Sequence, residues 1–180
     1  MRYKTREIAV LSLLTALCVV GRLLTNWLPN MQPITAILLL ISFYMGWRQA
    51  MVVSTLSILI TNFYLGMGIW TFAQILSFIL VIIFSSLLDH YLPWLTKRLV
   101  FQVILCVAVS MLYGFLVTLM LAPFWGVTKF WPYYLAGVSF DVMHSISTVG
   151  FFLVLKQPLS KIFGQYLRVE TTKVKQIDSK

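Results

Sequence analysis

Nearly every basic side chain of this chain falls on one side of a bilayer once its apolar runs are laid across it, and that asymmetry constrains the fold more than any other feature. The runs divide into six spans: about 8–26, 34–45, 49–64, 70–88, 100–121 and 133–155. All but two of the fourteen Lys and Arg then share a side: Arg2, Lys4, Arg6, Arg48, Lys97, Arg98, Lys156, Lys161, Arg168, Lys173, Lys175 and Lys180. Basic residues resist translocation, so this side is cytoplasmic and both termini lie there. The exceptions are Lys129, in an outer loop, and Arg22, inside the first span. The expected fold is an all-α six-transmembrane-helix bundle in the cell membrane, one domain over 1–180, with basic cytoplasmic termini at 1–7 and 159–180.

With 60% hydrophobic and 11% charged residues, the chain lacks the polar surface of a soluble domain. A strand in lipid must close into a barrel, and the runs show no alternation of ten-residue segments, so helices are the only economical spans. The second span is short for a crossing of about 30 Å at about 1.5 Å per residue. Pro29 and Pro33 break the chain before it, and Gly46 with Arg48 marks the turn after it. No small-x-small cleavage site follows the first run, so it is expected to be retained. Cys18 and Cys106 sit in apolar spans without metal-ligand spacing and read as packing residues. The net charge of +9 is spread over cytoplasmic loops without a basic stripe interleaved with aromatics. Anionic lipid, not nucleic acid, is the partner it fits.

The outer side is unusually polar for so apolar a chain. Asn30, Gln32 and Thr35 follow the first span, and Asn62, Tyr64, Trp70, Thr71 and Gln74 surround the glycine-bearing turn between the third and fourth. Trp125, Lys129, Trp131, Tyr133 and Tyr134 follow the fifth. Amides, aromatics and glycines at one mouth supply the hydrogen bonds, stacking area and backbone access that a small-molecule pocket needs. An interfacial aromatic belt accounts for the same Trp and Tyr residues.

Arg22 and Asp141 are expected at similar depth below that mouth. An isolated charge there costs about 3 kcal/mol or more, so an Arg22–Asp141 pair clamping the first and last helices is the economical expectation. Asp141, His144, Ser145 and Thr148 fall at i, i+3, i+4 and i+7, on one face that must look into the bundle. Metal binding through Asp141 and His144 would need a second such helix, which the sequence does not offer. Asp141 is the only carboxylate in the membrane part, Ser145 beside His144 is wrongly placed for a nucleophile and base, and no Walker A loop is present. The chain is therefore expected to be no enzyme, to hold no cofactor or metal, and to hydrolyse no ATP itself.

The order of several short motifs resembles a known family. Gly21-Arg22, then Pro29-Asn30-Met31-Gln32-Pro33-Ile34-Thr35, then Thr61-Asn62 through Leu65-Gly66-Met67-Gly68-Ile69-Trp70-Thr71 with Gln74, and finally Ser139-Phe140-Asp141 with His144 and Gln157-Pro158-Leu159, are similar to segments of the S components of energy-coupling-factor (ECF) transporters. The similarity covers nearly the whole chain. It implies six helices, a vitamin pocket at the outer face, and docking on a transmembrane coupling protein with two ATPase subunits, followed by toppling of the S component to release the vitamin inside.

The resemblance carries substrate contact to Asn30, Gln32, Thr35, Asn62, Tyr64, Trp70, Thr71, Gln74 and His144. It carries partner docking to Ser12 and Ala16, where the family has two alanines four apart; small residues at that spacing let helices approach closely. The chain departs from the family at Ser147-Thr148, where Gly-Asn is expected, and at Thr61, where Ser is usual, so Thr148 is not carried over as a ligand contact. The branch it most resembles implies cobalamin, with pantothenate or another water-soluble vitamin next. A non-catalytic assembly subunit, whose polar interior only fixes helix register, is the alternative from another class.

Overall fold

A computed structural model describes residues 5–178, with side chains described through residue 165. Seven helices follow one another: α1 (Thr5–Leu24), α2 (Ile34–Tyr44), α3 (Trp47–Leu65), α4 (Ile69–Tyr91), the single turn α5 (Pro93–Thr96), α6 (Leu99–Leu121) and α7 (Phe130–Asp178). Among the described residues there is no strand. Four helices are long and apolar enough to cross a membrane: α1, α4, α6 and the part of α7 within Phe130–Gln165. The architecture is that of a helical membrane protein.

The six expected runs reappear as the six long helices, with shifted ends. α7 begins three residues before the expected start and does not stop near Leu155; it continues through Pro158 to Asp178. Proline removes one intrahelical donor there without ending the helix, at a place where the sequence gives no glycine or second proline to stop it.

α2 is the hub. Its residues from Ile34 to Ser42 are all buried, and it packs against α1, α3, α4, α6 and α7. A helix apolar on every side is stable only when other helices surround it, and Ile37, Leu38, Leu39, Leu40 and Ile41 leave α2 no polar face to expose. Around it α1 packs on α3, α3 on α4, α4 on α6 and α6 on α7. Among the described residues α1 and α7 do not meet, because α2 stands between them.

The buried stripe of α1 shows how the sequence aims its helix. Leu11, Leu14, Thr15, Cys18 and Arg22 are buried while Leu13, Val20 and Leu24 are exposed. The buried set steps by three or four residues, so Arg22 takes the next inward position after Cys18. Gly21 beside it meets Pro33: a Cβ on Gly21 would lie 2.5 Å from the proline Cγ. That close approach brings the α1–α2 loop down onto the end of α1.

Candidate functional site

Two hydrogen-bonded groups and one set of unpaired charges occupy the end of the bundle where α1 meets α2 and α3 meets α4. The first group ties the α1–α2 loop to α7. Asn30 adopts a left-handed backbone (φ 55°), and its side-chain Nδ2 donates to the Phe140 carbonyl at 2.9 Å. His144 Nδ1 lies 3.1 Å from the Asn30 carbonyl and Nε2 lies 2.9 Å from the Thr35 hydroxyl. Because a carbonyl only accepts, Nδ1 must carry the proton, which leaves Nε2 to accept from Thr35. Nearby, the Gln32 backbone N–H donates to the Ser147 hydroxyl at 3.4 Å. Thr35 and His144 are both 1% exposed, and neither ring nitrogen of His144 is left over.

The second group ties α3 to α4. Asn62 Nδ2 donates to Thr71 Oγ1 at 2.9 Å and to Gln74 Oε1 at 2.8 Å. Thr71 Oγ1 also accepts from the Gly68 backbone at 3.4 Å, so one hydroxyl closes the start of α4 and holds the end of α3. The turn requires Gly66, whose φ is +110°. Gly68 leaves room for the Trp70 ring, which a Cβ would strike. The Trp70 indole folds back to donate to the Gly66 carbonyl at 3.3 Å.

Between these groups lie Arg22 and Asp141, and they are not paired. Arg22 is 6% exposed and Asp141 8% exposed. Arg22 Nη1 donates to the Thr61 hydroxyl at 2.7 Å, its Nε has no partner, and Thr61 passes its own proton to the Ser57 carbonyl at 2.7 Å. Asp141 packs on Gly114 of α6, where any Cβ would overlap the carboxylate. Among the described residues no side-chain hydrogen bond reaches its carboxylate; its backbone carbonyl accepts from the Ser145 hydroxyl at 2.8 Å. The expected clamp between the first and last helices is thus corrected. Arg22 turns to Thr61 of α3 and Asp141 to Gly114 of α6.

Tyr113, one residue before Gly114, lies within electrostatic reach of both charges. His144 feels Arg22 as well. Tyr113 stacks against Phe78, with centroids 4.3 Å apart, and lies 5.6 Å from the His144 ring. Tyr113, Gly114 and Thr61 are the site residues that the sequence reading did not assign. Tyr113-Gly114 sits in an otherwise apolar span, one turn from Ser110, and that short polar stripe was the available signal.

The nine residues assigned to substrate therefore divide. Asn30, Gln32, Thr35 and His144 form the first group, and Asn62, Thr71 and Gln74 the second. Trp70 is 38% exposed over its own turn. Tyr64 is 71% exposed and edge-on to Phe63, apart from the others. Thr148 bonds to Ser110 of α6 at 3.0 Å, a contact between helices. Ser145 and Thr148 are buried with Asp141 and His144 on the inner face of α7. Trp131 and Tyr134 join Phe115 and Phe130 in an aromatic cluster where α6 ends and α7 begins.

Ser12 and Ala16 lie far from this site, on the outside of the bundle. They line an apolar groove of about 400 Å³ between α1 and α3, together with Val19, Val20, Leu56 and Ile60.

Comparison with protein families, with curated proteins and with solved structures finds no match.

Proposed function

We propose that this chain is the substrate-capturing S component of an ECF-type importer, taking a water-soluble vitamin at the outer face of the cell membrane. In this reading six helices cross the membrane, both termini are cytoplasmic, and the chain works with a transmembrane coupling protein and two ATPase subunits. The observation that carries it is the convergence of buried polar side chains from α1, α3, α4, α6 and α7 at one end of an otherwise apolar bundle. Polar groups inside a membrane protein are costly and ordinarily mark a ligand path or a fixed helix contact. The ordered motifs that resemble S components choose the ligand path, and within that family they give cobalamin as the first expectation.

The test is a binding screen on the purified full chain with cobalamin, pantothenate, folate, riboflavin, thiamine and biotin, followed by Trp fluorescence and checked by calorimetry. Saturable binding of one vitamin supports the receptor reading. No binding to well-folded protein sinks it.

The groove at Ser12 and Ala16 suits a coupling-protein helix, since small side chains at its floor permit close approach. Ser12→Leu or Ala16→Leu is expected to abolish reconstituted transport and to leave ligand binding unchanged. Survival of transport in both variants would remove this face from the docking surface.

A second reading, an assembly subunit, draws on the two internally bonded groups, whose side chains satisfy one another without a ligand. It predicts that Asn62→Ala changes complex assembly and no small-molecule affinity.

A further inference from the structure

Arg22 and Asp141 are more than nine-tenths buried, carry opposite charge, and do not neutralise each other. Leaving both unneutralised is expensive for a membrane interior, and a direct pair would have been the simple remedy. The structure does not take that remedy: Arg22 donates to Thr61 of α3, while Asp141 packs on Gly114 of α6. The α1–α2 loop touches the residue before each of them, Gly21 through Pro33 and Phe140 through Asn30, so both charges lie beneath one loop. The surrounding His144, Thr35 and Asn62 already have protein partners and offer less to a newcomer.

We infer that this site takes a small carboxylate that also carries hydrogen-bond donors, with the carboxylate on the free edge of Arg22 and a hydroxyl, amide or ammonium donor on Asp141. The inference rests on the receptor reading and narrows it. A planar carboxylate matches the donor fork of a guanidinium. One negative charge balances Arg22, whereas a phosphate dianion would bring excess negative charge beside Asp141. Tyr113 then presents an aromatic face and a hydroxyl to the part of the ligand between its ends. This favours a carboxylate vitamin over cobalamin, since the single basic group below the mouth is not spent on Asp141.

The experiment is calorimetry on the purified full chain with matched pairs that differ only at the carboxylate: pantothenate and panthenol, biotin and biotinamide. Cobalamin, riboflavin and thiamine are measured alongside. One carboxylate is expected to bind about ten- to a hundredfold more tightly than its neutral partner, the range of one charge-assisted hydrogen-bonded contact. Arg22→Gln should erase that preference and Arg22→Lys should keep part of it. Asp141→Asn should weaken the acid and its neutral analogue alike, because it meets the end they share.

The matched pairs read out on the unaltered protein, so misfolding of a variant does not blunt the test. Tightest binding of cobalamin, riboflavin or thiamine overturns this inference and leaves the receptor reading standing. A carboxylate preference that survives Arg22→Gln in folded protein also overturns it. Absence of binding by every compound overturns the receptor reading and this inference together.

Discussion

The His144 group and the Arg22–Asp141 region lie side by side at one end of the bundle, yet they treat polarity in opposite ways. Around His144, both ring nitrogens, the Thr35 hydroxyl and the Asn30 carbonyl have protein partners. At the same end of the bundle the Arg22 guanidinium donates to one neutral hydroxyl and leaves Nε without a partner, and among the described residues the Asp141 carboxylate accepts no hydrogen bond. A satisfied polar group inside a membrane protein rigidifies the fold, and an unsatisfied one stores a demand for a partner. Under the proposed receptor reading, unmet valence rather than polarity itself selects the residues left for a ligand.

The comparison fails most visibly if His144 proves dispensable. His144→Ala removes a fully buried ring and strands the Thr35 hydroxyl and the Asn30 carbonyl, so it should destabilise the protein by about 3 kcal/mol. Thermal unfolding in detergent should then shift down by on the order of 10 °C. Gly114→Val sharpens the other side: its methyls enter the space of the Asp141 carboxylate, and the expected loss is about 2 kcal/mol by the same assay.

Arg22→Gln and Asp141→Asn should instead raise stability, each by about 1 kcal/mol, because each removes an unneutralised buried charge. A fall in Tm for both, with strong coupling in the double variant, would mean that the two residues behave as an ion pair and would erase the distinction. The smallest effect is expected at Tyr64. Tyr64→Ala alters an exposed side chain and should change stability by less than about 0.5 kcal/mol and ligand affinity not at all.

Much of this arrangement is written in spacing. The inward stripe of α1 through Arg22 and the inner face of α7 through Asp141, His144, Ser145 and Thr148 follow from helical periodicity alone. The turns at Gly46 and Gly66 are legible for the same local reason, since their positive φ angles suit little else. The α1–α2 loop reaches both neighbourhoods, meeting Gly21 beside Arg22 and Phe140 beside Asp141.

The order of helices around the bundle was not readable. Nothing in the local pattern says that Arg22 turns to Thr61 of α3 and Asp141 to Gly114 of α6, and those contacts turn an expected ion pair into two separate charges. Tyr113 and Gly114 escaped for a related reason. Their role depends on which helix faces α6, and a tyrosine in an apolar run carries no periodic signal of its own. The split of the nine residues assigned to substrate likewise depends on partners as far as 115 positions apart, as between Gln32 and Ser147.

The buried hub has a consequence for how the chain enters its membrane. α2 has 11 residues, which at about 1.5 Å each reach about half of a hydrocarbon core of about 30 Å. Its unpaired ends would meet lipid if it were released from the insertion machinery alone, and between Thr35 and Ser42 its surface is apolar on every side and has no preferred direction to face. The hypothesis that follows is cotranslational: α2 waits for α3, and the two leave the translocation channel as one hairpin. Nascent chains arrested after Tyr44 should keep α2 crosslinked to the channel, and chains arrested after Leu65 should release it. Equal release at both lengths would show that this short helix partitions by itself, and the order of assembly would have to begin elsewhere.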